Sequence, residues 1–251
     1  EASVIQWQWK EDVFPECDQF NGIHEGLVQS WKDIFPKKGE IHFAGALENN
    51  EDTGTLQYLA STAMEAGFST RVLDMQALDL QNGRFFDPAG ELVNRCFKLY
   101  PWEWMVDESP DGCLAEMEWL EPIWKLVMSN KAILATLYEL FPDSPYVLPC
   151  YLSRPRSGLF CKKPVFSREG HNVSVVDIRD WEEYVRIAET EGDYNTGAYV
   201  YQEYVEPTVY SGRYPVIGSW IIGGEAAGIG IRENRMEVTD NLSEFVPHII
   251  G

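Results

Sequence analysis

Apolar side chains at Ile23, Leu27, Val28, Trp31 and Ile34 recur every three or four positions and predict a helix over residues 20–35. The preceding EASVIQWQWKEDVFPE reads as a chain already inside a helix. KKGEIHFAGAL then predicts a strand ending near Leu47. The polar loop ENNEDTGT follows, with Thr53 or Thr55 as the expected cap of a helix over TLQYLASTAMEAG that Gly67 ends. FSTRVLDMQAL reads as a second strand and its exit. QNGRFFDPAGEL carries two turn signals, Asn82-Gly83 and Asp87-Pro88, and reads as a hairpin. Residues 40 to about 100 therefore read as a β-α-β unit with a hairpin attached.

The middle of the chain is aromatic and broken by proline. Residues 123–140 keep helical spacing with Asn130-Lys131 inside it, and Pro142, Pro145 and Pro149 end that helix. The remainder is rich in strand patterns. Residues 158–166 and 172–178 alternate and flank SREG, and residues 180–189 read as a short helix. AYVYQEYVE reads as a strand. YPVIGSWIIGGEAAGIGIREN reads as two strands joined at Gly223-Gly224. No repeat or low-complexity tract appears, and the aromatic stretch near residues 100–150 is the expected boundary between two lobes.

Composition narrows the possible functions. The 251 residues are 45% apolar, with 9 Trp, 12 Tyr and 12 Phe, enough for a packed core. Forty acidic against 20 basic residues give a net charge of −20. That balance argues against nucleic acid and anionic membranes as partners. It suits solubility and is compatible with a cationic substrate such as a polyamine. Cys17, Cys96, Cys113, Cys150 and Cys161 are odd in number and widely spaced, which suggests neither a disulfide framework nor zinc. Reduced thiols point to the cytoplasm. His24, His42, His171 and His248 have no partners at metal-site spacing. A Cys161–His171 nucleophile has no further support. No apolar run is long enough to span a membrane. The chain opens on Glu1 rather than Met and reads as cut or processed.

Candidate chemistry concentrates in KKPVFSREGHNV, residues 162–173. Lysine at a strand end supplies a point charge for phosphate. The Ser167 hydroxyl and the amides around Gly170 supply donors, Arg168 adds a second charge, and glycine permits close approach. An ordinary surface hairpin has the same look. Lys131 lies in a helix otherwise heading into the core, and by itself reads as a snorkelling lysine. Gln202-Glu203 interrupt an apolar strand, as a solvated edge or as contacts to an adenine or ribose. Arg232 ends a Gly-rich strand, a placement suited to developing negative charge.

Taken in order, GTLQYLA, LYPWEWM, NKAIL, KKPVFSREGHNV, YVYQEYVEP, GSWIIGGEAAGIGIREN and LSEFVPH resemble the synthetase domain of the glutathionylspermidine synthetase family. The resemblance covers nearly the whole chain and is greatest to stand-alone synthetase-like members. It implies an ATP-grasp ligase that phosphorylates a carboxylate and lets an amine attack the acyl phosphate. By position it implies that Lys131 and Lys163 touch the ATP phosphates. Ser167, Arg168, Glu169 and Gly170 would form the phosphate lid, and Gln202, Glu203 and Tyr204 would hold the adenosine. It makes Arg232 catalytic, stabilising the transferring phosphoryl group. Glu51, Asp52 and Glu244 would contact substrate. Leu99 stands where the bifunctional enzymes carry a polar residue that helps bind glutathione. The family's Mg²⁺ ligands lie in an Asp…Glu-x-Asn segment upstream of Glu1, so no metal ligand is assigned.

The expected fold is thus α/β of ATP-grasp type, with two antiparallel sheets for ATP. Residues 1–100 would form a helix plus an α/β substrate lobe, and residues 101–251 the nucleotide-binding lobes. The expected function is an ATP- and Mg²⁺-dependent carboxylate–amine ligase acting on a glutathione-like or peptide carboxylate and an amine such as a polyamine. A non-catalytic nucleotide- or peptide-binding protein is the alternative.

Overall fold

The computed structural model describes residues 1–179, 184–194, 197–236, 238 and 243–251. Two helices, α1 (Val4–Val13) and α2 (Ile23–Ile34), precede β1 (Glu40–Gly45), α3 (Asn50–Glu65) and β2 (Ser69–Asp74). β1 and β2 pair in parallel from Glu40↔Ser69 to Gly45↔Asp74, the expected β-α-β unit. The expected hairpin is a three-stranded antiparallel sheet of β3 (Asp79–Gln81), β4 (Arg84–Phe86) and β5 (Leu92–Val93). Asn82 (φ 51°) and Gly83 (φ 75°) make its first turn, both in the left-handed region that Asn and Gly tolerate. β6 (Arg95–Leu99) returns parallel to β1, and α4 (Trp102–Glu108) and α5 (Pro110–Cys113) lead to β7 (Glu118–Leu120), parallel to β6. The sheet order is β2-β1-β6-β7.

Both faces of this parallel sheet are covered, as parallel sheets require. Ile41 and Phe43 point to one side, against Val28, Trp31 and Phe35 of the α2 region and Leu56, Ala60 and Ala63 of α3. Ala44 and Cys96 point to the other, with Trp102, Met105, Phe85 and Trp119. Trp31 crosses Phe43 edge-on at 5.5 Å, and its Nε1–H donates to Thr62 Oγ1 at 2.9 Å. One expectation fails here. Asn49, rather than Thr53 or Thr55, caps α3: its Oδ1 accepts from the Glu51 N–H at 2.9 Å, while the Thr53 hydroxyl turns back to the Leu47 carbonyl. The helix thus starts a turn earlier than its apolar pattern indicates, because capping chemistry rather than burial sets its end.

The second half contains α6 (Leu126–Ser129), α7 (Ala132–Leu140), β8 (Cys150–Tyr151), β9 (Gly158–Pro164), β10 (Ser174–Ile178), β11 (Tyr184–Glu189) and β12 (Tyr199–Glu203). It ends with β13 (Tyr214–Ile222), β14 (Glu225–Asn234) and β15 (Glu244–Val246). An antiparallel sheet ordered β11-β10-β9-β12-β8 and a three-stranded sheet ordered β13-β14-β15 result. The helix expected over residues 123–140 breaks at Asn130-Lys131. Asn130 Oδ1 accepts from the Ala132 N–H at 2.9 Å, and the Lys131 N–H donates to the Val165 carbonyl at 2.8 Å. The helix expected over residues 180–189 is also corrected. Residues 184–189 are β11, paired from Ile178↔Tyr184 to Ser174↔Glu189, and residues 180–183 lie outside the described residues. Residues 184–189 pair with the open edge of β10, and that pairing overrides local preference.

The chain forms two compact units. The first comprises Glu1–Leu126, Ser219–Ile229 and Ile249–Gly251, and the second Val127–Gly218 and Gly230–His248. Residues 101–126 lie in the first unit, where β7 extends the parallel sheet. The tip of the β13–β14 hairpin also belongs there. The Gly22 N–H donates to the Ala227 carbonyl at 2.7 Å, and a Cβ on Gly228 would stand only 3.0 Å from Ile23 Cγ1 and the Phe20 carbonyl.

Candidate functional site

The candidate site lies in the second unit, on one face of the five-stranded sheet. Side chains two apart on a strand share a face, so Cys161 and Lys163 of β9 point together. The register puts Val175 and Gln202 opposite Cys161, and Val200 opposite Lys163. A cavity of about 290 Å³ opens on this face, lined by Lys131, Lys163, Ser167, Arg168, Glu169 and Gly170, together with Tyr204 and, from the sheet, Cys161 and Val175.

The loop over the cavity is held by backbone geometry. Glu169 (φ 52°), Gly170 (φ 73°) and Asn172 (φ 55°) adopt left-handed conformations, and the His171 N–H closes a turn on the Arg168 carbonyl at 2.8 Å. The Thr190 hydroxyl donates to the Gly170 carbonyl, and its oxygen accepts from the Val173 N–H at 3.0 Å. Lys131, just before α7, ties the other side: its Nζ donates to the Ser167 carbonyl at 2.6 Å. Lys163 Nζ donates to Gln202 Oε1 at 2.7 Å. Two ammonium groups, a serine and a glycine-containing turn therefore converge on one hollow, an arrangement suited to a polyphosphate. Burial raises the Cys161 thiol pKa, partly offset by the nearby Lys163 charge. The thiol therefore stays protonated, and the Cys161–His171 nucleophile finds no support.

The expected residues divide into three groups. Lys131, Lys163, Ser167, Arg168, Glu169, Gly170 and Tyr204 line the cavity, and Gln202 reaches it through Lys163. Glu203 lies opposite Phe160 and shares its face of the sheet, away from Lys163. Its N–H is used by the Pro149 carbonyl at 2.7 Å. Arg232 lies on β14 opposite Phe245, and Glu244 on β15 opposite Glu233, where it accepts from Arg213 Nη1 at 2.9 Å; neither lines the cavity. Glu51 and Asp52 occupy the first turn of α3 in the first unit, where carboxylates complement the helix dipole. Cys161, considered from the sequence only as a nucleophile, and Val175 were not expected at the phosphate hollow, although the period of two places Cys161 beside Lys163. Among the described residues no group of three His, Cys, Asp or Glu side chains is placed to hold a metal ion. Among them, too, no helix is long and apolar enough to cross a membrane.

The family described as glutathionylspermidine synthase preATP-grasp matches residues 1–251. A protein of Haemophilus influenzae named "Putative acid--amine ligase" is 36% identical over 262 residues, covering 99% of this chain and 67% of that protein. The trypanothione synthetase of Crithidia fasciculata is 27% identical, covering 98% of this chain and 42% of that protein. The bifunctional glutathionylspermidine synthetase/amidase of Escherichia coli K12 is 25% identical, covering all of this chain and 45% of that one. The chain thus spans about two thirds of the first of these relatives and under half of the other two. Among solved structures, a putative gamma-glutamylcysteine synthetase from Methylobacillus flagellatus KT superposes with a TM-score of 0.53 over 92% of this chain and 74% of that one. At 8% identity that likeness is one of fold alone. The α/β fold of ATP-grasp type expected from the sequence is borne out. The chain belongs to the glutathionylspermidine synthase family.

Proposed function

We propose that this member of the glutathionylspermidine synthase family is an ATP-dependent acid–amine ligase, using the cavity beneath residues 167–170 for the nucleotide. The observation that carries the reading is the convergence of Lys131, Lys163 and the Ser167–Gly170 turn on one hollow. In the reaction a carboxylate oxygen attacks the γ-phosphorus of ATP and ADP leaves. The amine then attacks the acyl carbon, phosphate leaves, and the nitrogen loses a proton as the amide forms. Lys163 and Lys131 supply fixed positive charge for the phosphates, and the left-handed turn at Glu169-Gly170 presents backbone donors. Arg232 is proposed to face the transferring phosphoryl group. Gln202, Glu203 and Tyr204 are proposed for the adenosine. The acid is of glutathione-like or peptide type and the amine of polyamine type, contacted by Glu51, Asp52 and Glu244. ATP is a substrate here. Mg²⁺ is expected with it, but the described residues offer no three-ligand site, so no step is routed through the metal.

Calorimetry tests the nucleotide part: ATP is titrated, with and without Mg²⁺, into this chain and into Lys163→Ala. Binding weakened about tenfold or more by the substitution supports the reading. Binding unchanged in Lys163→Ala, or no binding at all, removes the cavity from it. Amide formation from ATP, a peptide acid and a polyamine, followed by mass spectrometry, tests the ligase part. ATP turnover with no dependence on amine overturns that part.

A further inference from the structure

A second cavity, of about 700 Å³, lies in the first unit beside Glu40, Arg95 and Glu118, residues at the N-terminal ends of parallel strands. Parallel sheets bind their ligands at the opposite, C-terminal edge, so this hollow has no place in the proposed reaction. Its wall contains a buried polar side chain without a hydrogen-bond partner. His42 is 2% exposed and lines the cavity, yet neither ring nitrogen has a hydrogen-bond partner. A buried polar group without a partner costs stability and calls for an explanation.

The surroundings supply one. Glu40 Oε2 lies 3.7 Å and Asp87 Oδ2 3.9 Å from His42 Nε2, too far for hydrogen bonds to the ring. Arg71 approaches the same carboxylates, bonding Glu40 Oε1 at 2.8 Å and Asp87 Oδ2 at 2.6 Å, and leaves Glu40 Oε2 toward the histidine. Glu40 Oε2 and His42 Nε2 remain as acceptors at the wall, with Asp87, already bonded to Arg71, behind them, and a primary ammonium has three donors to offer. Glu40 is a third exposed and can swing to admit it. Leu92 and Met117 line the same cavity and offer apolar surface to methylene groups. Glu116 and Glu118, both well exposed, line the wall in ion pairs with Arg84 and Arg95, and Lys38 lines it too.

We infer that this cavity is a second site for a primary alkylamine, whose ammonium is held by Glu40 and His42 and whose methylenes lie against Leu92 and Met117. His42 accepts at Nε2 and carries its proton on Nδ1. Burial lowers the ring's pKa, which keeps it neutral and able to accept.

The test uses the whole chain and reads the His42 imidazole by ¹⁵N and ¹³C NMR during titration with 1,4-diaminobutane. Tetramethylammonium, equally charged but without N–H donors, is the control. His42 resonances are assigned by removing each of the four histidines in turn, so the assignment survives if the His42 variant fails to fold. The expected result is a saturable shift with Nε2 unprotonated, absent with tetramethylammonium. It weakens about tenfold in Glu40→Gln, the size of one charge-assisted hydrogen bond, and similarly in Met117→Lys. Lys163→Ala leaves it unchanged, which separates this site from the nucleotide reading. No saturable shift at His42, an equal response to tetramethylammonium, or indifference to both cavity variants overturns the inference.

Discussion

Lys163 Nζ and Gln202 Oε1, 2.7 Å apart, join β9 to β12 on the diagonal, because Gln202 lies opposite Cys161 and Lys163 opposite Val200. The amide oxygen holds the ammonium without cancelling its charge. Gln202→Glu is expected to trap Lys163 in an ion pair and weaken ATP binding about tenfold, with the loss shrinking at high salt. Gln202→Met, which frees the lysine, is expected to cost less. Calorimetry at two ionic strengths measures both. Equal affinity in the two variants would mean that the pair does not govern the lysine.

Lys131 ties the loop from outside the sheet, through its N–H to Val165 and its Nζ to the Ser167 carbonyl. Lys131→Met keeps the first bond and removes the second. Trypsin cleavage after Arg168 is expected to accelerate several-fold without nucleotide, as local opening becomes easier. An unchanged cleavage rate would show that the Lys131 ammonium does not restrain the loop.

Gly170 sits at φ 73°, where a β-branched residue is strained. Gly170→Val is expected to cost about 1–2 kcal/mol in the loop. Most of that should appear as weaker ATP binding rather than lower melting temperature. A large fall in melting temperature with intact binding would place the strain in the fold instead.

Burial depresses the His42 pKa despite the pull of Glu40 and Asp87, while Arg71 pushes it further down. The folded ring thus binds its proton less readily than the unfolded one. Its contribution to stability is complete above about pH 6.5, the ordinary value, and is lost as pH falls below it toward the lowered folded value. His248 is depressed by burial and acts in the same direction. Melting temperature is therefore expected to fall between pH 7.5 and 5.5, and less steeply in His42→Gln, which retains the His248 part. Identical slopes would exclude His42 as a source.

In the first unit, Trp31 packs edge-on against Phe43 and donates to the Thr62 hydroxyl, with all three buried. Trp31→Phe removes the donor and leaves a gap beside Thr62. Urea unfolding is expected to show a loss of about 2–3 kcal/mol. A loss below half that would mean that the site collapses around the smaller ring.

Where the pattern and the fold agree, local chemistry was decisive. The alternation in EIHFAG made a strand, and Asn82-Gly83 made a turn because those residues tolerate left-handed backbone. The spacing of Ile23, Val28 and Trp31 made α2, whose buried face those residues supply. Where they differ, a distant partner decided. Residues 184–189 became a strand because β10 offered an open edge, and the helix through residue 130 broke because Val165 provided an acceptor for Lys131.

The candidate site divides in the same way. Lys163 and the SREG turn are legible in the sequence because charge, hydroxyl and glycine lie within eight residues. The ordered motifs also identified the family. Only the tertiary structure could bring Lys131 onto Ser167 across 36 positions, or Gln202 onto Lys163 across 39. It alone set His42 of β1 beside Asp87, which lies in the turn after β4. Period and turn chemistry are properties of neighbours along the chain. Which charges meet is set by strand register and packing, and those are fixed only when the whole chain buries its apolar surface.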